Sequence, residues 1–369
     1  MKRLILILLL AHQAHGYLVR TQYEGIRPTG MGNAYLALAD DSNSVWYNPA
    51  GLAKQKKWGM NLLDANGAWD SQDTLNRLKN ALFNGDNANL LRPDTEMVRF
   101  GIFPKFFAPY FTFGLFEQIN SFTDVGTVST NDILNITAPS VDIFTFNDLG
   151  AIAGLGFPFG PYLNFGASVR FFSRTGINSS ISPNDLLASL NLTDPTQFNS
   201  AVFTFLRNLL RTGYAIGLNV GFLGEVPLPR GYPKWTVAAA AEDVGVTTFR
   251  GLTAGILAPE PIISTYSAGT ALQYTLTKHT VLNIALDLRN LLEDHPDFKL
   301  VHFGAEVRHK FFALRGGVSM GHLTYGASLE FPPHTRIHFS SYAIELANNL
   351  LERQQRYYMM QFIVGMNPF

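Results

Sequence analysis

Gly317-Val318-Ser319-Met320-Gly321 has the G-x-S-x-G spacing of a serine nucleophile elbow, and His322 follows it directly. An elbow exposes its serine on a strained strand-to-helix turn where a histidine and an acid converge on the hydroxyl. Here the following residues alternate as a strand and carry no helix signal, so glycines and a serine on one strand face account for the match. The nine histidines have no H-E-x-x-H spacing and no carboxylate cluster suggests a cation cage, so neither a metal nor a cofactor is expected. The chain is read as a non-enzyme.

The remaining chemistry lies in charges at every second position. Asp287 and Arg289 share one face of a segment, and His302, Glu306 and Arg308 share one face of the next. Such a face can bind a ligand or fill an interior as a structural network, and the second reading is favoured because buried polar groups must be paired. Gly166, Gly217, Gly221, Gly304 and Gly316 are expected where another backbone approaches closely.

The elements that must position these residues follow from period-two alternation, which recurs along most of the chain. Leu163, Phe165, Ala167, Val169 and Phe171 alternate with Asn164, Gly166, Ser168 and Arg170; Tyr214 to Phe222, Leu282 to Leu288 and Val301 to Val307 repeat the pattern. About fourteen such segments are predicted, near 57–64, 97–104, 108–118, 141–157, 162–173, 212–225, 234–243, 264–275, 279–289, 299–309, 311–320, 322–331, 335–343 and 355–368. An even count suits a single-chain transmembrane antiparallel β-barrel, one face of each strand in lipid and the other in the lumen. Predicted tight connections around Pro104, Pro158–Pro161, Pro227–Pro233, Thr277–Lys278, Lys310 and Pro332–Pro333 fall on one side, and long ones at 65–96, 119–140, 174–211 and 244–263 on the other. That segregation matches short periplasmic turns and longer external loops.

Short helices are expected in the external loops. Ser182-Pro183-Asn184-Asp185 and Asp194-Pro195-Thr196-Gln197 carry helix-start chemistry, and Phe198, Val202, Phe205, Leu206 and Leu209 then follow three-four spacing. Leu75, Leu78 and Leu82 after Asp73 form a further candidate. Their apolar faces can line an external vestibule, form an oligomer contact, or pack on the barrel rim.

Composition agrees with a lipid-facing surface. Hydrophobic residues make up 47% of the chain and charged residues only 15%, against about 25% charged in soluble domains. Formal net charge is zero, slightly negative without Lys2 and Arg3, so no nucleic acid is expected as a partner. Zero cysteines suits an oxidising envelope compartment. Lys2 and Arg3 precede an apolar run from Leu4 to Ala11, and Ala14-His15-Gly16 fits a cleavage site, so residues 1–16 read as a signal peptide. At the other end Phe362, Val364 and Met366 share a face before Phe369; a terminal aromatic after an alternating strand resembles the assembly signal of outer-membrane barrels, although Pro368 intervenes and Phe369 is out of register.

The stretch from Gly30 to Ala53 is neither strand nor long helix. Its run Ala37-Leu38-Ala39-Asp40-Asp41-Ser42-Asn43-Ser44-Val45-Trp46-Tyr47-Asn48-Pro49-Ala50-Gly51-Leu52-Ala53 resembles the N-terminal hatch of the FadL-type outer-membrane transport family, which includes PorV-like members. The resemblance covers roughly residues 25–53. It implies a bacterial outer-membrane barrel with residues 17–56 as a hatch inside the lumen and residues 57–369 as the barrel. It also implies that Asp40, Asp41, Trp46, Tyr47, Asn48 and Pro49 anchor and gate that hatch, although Asn48-Pro49 also reads as a simple turn. Two functions remain open. One is passage of hydrophobic, fatty-acid-like molecules past the plugged lumen. The other is a non-transporting scaffold that anchors surface proteins or forms a lipid-organising homo-oligomer. Expected partners are outer-membrane lipid, a hydrophobic ligand and the barrel-assembly machinery.

Overall fold

The structure, a computed structural model, describes residues 23–70, 96–125, 141–181, 204–205, 207–229, 231–293, 296–331, 334–346 and 349–366. Among them, fourteen antiparallel strands form a closed barrel. They are β1 (Gly59–Trp69), β2 (Glu96–Ile102, resumed as Lys105–Ala108), β3 (Phe111–Val125), β4 (Val141–Phe159), β5 (Leu163–Ile181), β6 (Leu210–Val226) and β7 (Lys234–Glu242). The circuit continues through β8 (Thr265–Thr277), β9 (Thr280–Leu288), β10 (Val301–His309), β11 (Phe312–Ser319), β12 (His322–Phe331), β13 (Thr335–Glu345) and β14 (Gln354–Met366). Each strand pairs with its chain neighbours, and β1 pairs with β14 from Met60↔Met366 to Trp69↔Tyr358, so no sheet edge is left open. The interruption in β2 is Phe103-Pro104. Proline cannot donate to the ladder, and Phe103 turns inward while its amide bonds the Asp64 carbonyl at 2.8 Å.

The alternation sorts residues as a lipid barrel requires. Leu155 and Phe157 of β4, Phe165, Val169 and Phe171 of β5, and Leu323 and Leu329 of β12 are all exposed, whereas their neighbours along each strand are small, polar or buried. An exposed apolar belt of this extent requires a bilayer around it. Among the described residues no helix is long or apolar enough to cross a membrane.

The wall is uneven. Strands β9 and β10 have 9 residues each, close to what a bilayer needs, but β4 and β5 have 19 each. At ~3.3 Å per residue the excess carries β3–β6 well past the lipid at the long-loop end. There the outward face mixes in Glu117, Ser121, Thr145 and Asn147, with Asn147 Nδ2 bonding Glu117 Oε1 at 3.2 Å and the Ser121 and Thr145 hydroxyls 2.9 Å apart. Across the mouth the rim is low: Met320 and Gly321 alone join β11 to β12, with φ of 51° and 82°, a turn whose twist matches the strands it connects. The expected helix starts at 182–185 and 194–197, and Leu75, Leu78 and Leu82, lie outside the described residues. So do Phe198, Val202 and Leu206; Phe205 and Leu209 are half-buried in the helical turns before β6.

Candidate functional site in the lumen

Residues 23–54 run through the barrel interior. They contain α1 (Ile26–Gly30), α2 (Ser44–Tyr47) and a 3-10 helix (Pro49–Lys54), too short to be stable without their surroundings. The wall supplies what they lack. Asn48 caps the 3-10 helix, its Oδ1 accepting from the Ala50 amide at 3.2 Å, and Pro49 occupies the first position, where no donor is needed. The other end of the same side chain reaches out: Nδ2 donates to the Leu36 carbonyl and to the Phe222 carbonyl of β6, both at 3.1 Å. Asn48-Pro49 is therefore both a turn and a tie to the wall.

Trp46 forms an aromatic floor with three rings. It stacks on Tyr23 at 5.0 Å and meets Phe103 and Phe116 edge-on at 5.5 and 5.0 Å. Tyr47 accepts from the Gly25 amide at 2.8 Å and lies under the Arg289 guanidinium.

Asp40 and Asp41 meet Arg27 across the segment, at 2.5 and 3.1 Å. Arg27 also grips Glu306 of β10 with two bonds, 3.0 and 2.8 Å. Glu306 in turn accepts from Arg315 of β11 at 2.7 Å and from Asn283 of β9 at 2.9 Å. Arg308 completes the cluster, 3.4 Å from both Asp40 and Glu306. Burial pushes the Asp40 carboxyl up, but Arg27 and Arg308 outweigh it and hold the group down at about 2.

Asp287, Arg289 and His302 make contacts of their own beside the Glu306–Arg308 cluster. Asp287 Oδ2 accepts the Tyr35 and Leu36 amides at 2.6 and 2.8 Å, His302 Nδ1 is 2.9 Å from the Gly32 carbonyl, and Arg289 pairs with Glu242 at 3.2 Å. Three wall residues thus hold the backbone or rings of the luminal segment, while the Glu306 cluster holds its side chains. Hydrogen bonds to a charged group contribute about 1.5–3 kcal/mol, so Asp287→Ala is expected to free the Tyr35–Leu36 stretch. Limited proteolysis of the folded barrel checks this, with faster cleavage near residues 35–36 than in the parent.

The G-x-S-x-G residues are wall. Ser319 ends β11 with its hydroxyl 3.1 Å from His302 Nδ1, and it is followed by the Met320-Gly321 turn and another strand, not a helix. The adjacent His322 faces Glu345 at 3.1 Å, away from the serine. The elbow geometry is absent.

Two contacts were not legible as chemistry in the sequence. Lys105 of β2 ties Asp64 of β1 to Asn43 of the luminal segment, both at 2.7 Å, and Glu24 meets Arg99 at 2.6 Å and the Tyr342 hydroxyl at 2.6 Å. On the long-loop side of the segment lies an apolar cluster of Ile26, Met97, Phe122, Phe144, Met320, Tyr342, Ile344 and Met359. Methionine packs adaptably around irregular shapes, and three of these eight are methionines.

No known family's sequence profile matches the chain, and no curated protein is similar to it in sequence. Solved structures are similar in shape. The deltaS2 mutant of the TodX monoaromatic hydrocarbon channel has a TM-score of 0.54 and 13% identity, over 95% of this chain and 100% of that one. The CymD monoaromatic hydrocarbon channel gives 0.51 and 10%, over 93% and 97%, and the Ralstonia pickettii toluene transporter TbuX 0.50 and 11%, over 95% and 100%. A closed fourteen-strand antiparallel barrel, with 93–95% of the chain matched to these structures, gives the chain the same fold as these hydrocarbon channels.

Proposed function

We propose that the chain is an outer-membrane channel for small hydrophobic molecules, closed by residues 23–54 acting as a hatch. The observation that carries this reading is the juxtaposition in the lumen. An apolar cluster rich in methionine and aromatic rings faces the long-loop end and stops on a segment tied to the wall by hydrogen bonds and ion pairs. Apolar residues concentrate a hydrophobic solute from water, and polar ties can be exchanged for water without opening the barrel. TodX and CymD are monoaromatic hydrocarbon channels and TbuX a toluene transporter, so a compact apolar solute is the first to test; fatty-acid-like chains are the second. A scaffold role has less behind it, because among the described residues the wall projecting past the lipid mixes Glu117, Ser121, Thr145 and Asn147 into its outward face.

Uptake of radiolabelled toluene into proteoliposomes tests the reading. Vesicles containing the barrel are expected to fill faster than vesicles containing a closed control barrel. Equal rates would overturn the channel assignment.

A further inference from the structure

Positive charge collects on the short-turn rim, where the barrel leaves the bilayer. Two turns there are two residues long, Lys278-His279 between β8 and β9 and Lys310-Phe311 between β10 and β11. They touch: the Lys310 amide donates to the His279 carbonyl at 3.3 Å, and Thr280 pairs with His309 beside them. Both lysines are exposed, and among the described residues neither ammonium has a carboxylate partner. Elsewhere on the rim Lys234 pairs with Glu225, and Lys56 lies over the Tyr110 ring at 5.4 Å. Glu306 and Glu330, the carboxylates of β10 and β12, belong to the inward face; Glu306 is buried, and Glu330 follows the parity of buried Ser328.

The outward surface beside the two turns is apolar, with Leu276, Phe311, Phe312 and Leu314 all exposed. One polar group interrupts it. His309 has the outward parity of Phe303 and Val307, and its ring lies 5.3 Å from that of Phe312. Its Nδ1 stands 2.9 Å from the Thr280 hydroxyl, and among the described residues Nε2 has no partner. A half-buried imidazole nitrogen at a lipid boundary needs a hydrogen-bonding group to meet it.

Short turns of an outer-membrane barrel face the periplasm, so the leaflet beside this patch is the periplasmic one. A group that satisfies the patch must carry negative charge within reach of two ammoniums and be joined to an apolar tail. We propose that the outward face of β8–β11 at the short-turn end binds an acidic phospholipid, its phosphodiester between Lys278 and Lys310 and its acyl chains on Leu276, Phe312 and Leu314. A zwitterionic headgroup is disfavoured because it brings an ammonium of its own to a patch that already holds two. The site lies on the outside of the wall and does not depend on what passes through the lumen.

Native mass spectrometry of the full-length barrel in neutral detergent tests this, with equimolar dioleoylphosphatidylglycerol and dioleoylphosphatidylethanolamine as competing probes. A lysine beside an anionic lipid contributes roughly a fivefold factor in binding, so the parent is expected to retain phosphatidylglycerol in preference. Lys278→Gln combined with Lys310→Gln should lower the ratio of the two bound lipids at least about fivefold, and Lys278→Arg combined with Lys310→Arg should keep it. Both positions are exposed turn residues, and the migration of each unheated barrel on a detergent gel verifies that it is folded. Lys56→Gln combined with Lys57→Gln removes charge elsewhere on the rim and should leave the ratio unchanged. No preference in the parent, an unchanged ratio in the Lys278 and Lys310 glutamine variant, or an equal loss in the Lys56 and Lys57 variant would each overturn the assignment. Displacement of the lipid by an equal concentration of glycerol phosphate would overturn it in favour of a free phosphate.

Discussion

Arg27→Ala is expected to release residues 23–54 from the β9–β11 wall and to turn a quiet barrel into one with frequent ion-conducting openings in planar bilayers. The side chain is buried, and it joins three carboxylates: two on its own segment and Glu306 on the wall. Deleting one partner of a buried pair costs about 3–5 kcal/mol, because the other charge is left without compensation. In population terms this is roughly 100- to 4,000-fold in the ratio of docked to undocked segment. Arg308→Ala touches the same acids, but at 3.4 Å from a side chain 39% exposed, where solvent screening leaves ~1 kcal/mol or less. Its conductance should stay near that of the parent. Equal leak from Arg27→Ala and Arg308→Ala would show that the cluster fills space and does not latch the segment.

The same cluster sets a pH dependence. Asp40 is held down from 3.8 to about 2, so the folded carboxylate contributes stability that is present above its ordinary value. That contribution is lost as pH falls through the interval between them. The Asp40 contribution is therefore expected to be flat from neutrality to about 4 and to fade between about 4 and 2, and in that lower interval openings should increase in the parent more than in Arg27→Ala, whose opposing charge is gone.

Lipid contact made part of the fold readable and left the rest hidden. Where both the ladder and the bilayer act, as in Leu163–Phe171, apolar and polar residues alternate and the strand is legible. Residues 174–181 continue β5 in the same register, Arg174↔Asp148 to Ile181↔Val141, yet they read as part of a loop because no lipid demands apolar side chains there. Residues 119–125 of β3 were hidden for the same reason. Alternation reports what surrounds a strand, whereas hydrogen bonding decides how long it is. The interior was less legible still. Arg27 and Glu306 lie 279 residues apart, and nothing local to either residue points to the other. Asp287 and His302 were identifiable as luminal from their face, but their partners are backbone groups of the N-terminal segment, which carry no sequence signal at all. Asn48-Pro49 reads locally only as a turn; that it also holds the wall was implied by the family resemblance and not by the residues themselves.

Gly304→Ala is expected to displace the luminal segment as strongly as loss of Arg27, whereas Gly316→Ala on the next strand should do nothing measurable. Both glycines were candidates for close backbone approach, and the register separates them. In β10 the inward positions include His302, Gly304 and Glu306, and a Cβ on Gly304 would stand 2.1 Å from the Met31 carbonyl oxygen and 2.7 Å from its carbon. The obstacle is backbone, which cannot rotate aside. In β11 the Met320-Gly321 turn sets the parity so that Ala313, Arg315, Gly317 and Ser319 point inward; Gly316 faces out, and its added Cβ would meet only the Thr324 carbonyl oxygen at 3.9 Å. Gly217, also a candidate, faces the Arg170 side chain, whose flexible end can yield. Overpacking costs about 1–3 kcal/mol when side chains can adjust, and more is expected against a fixed carbonyl. Leak of a small fluorophore from loaded vesicles, compared with the thermal stability of each barrel, distinguishes the outcomes. Gly304→Ala should raise leak with the fourteen strands intact, Gly217→Ala should raise it slightly, and Gly316→Ala should match the parent. If Gly304→Ala lowers barrel stability without any added leak, the segment is a structural core that the wall is built around and does not act as a hatch.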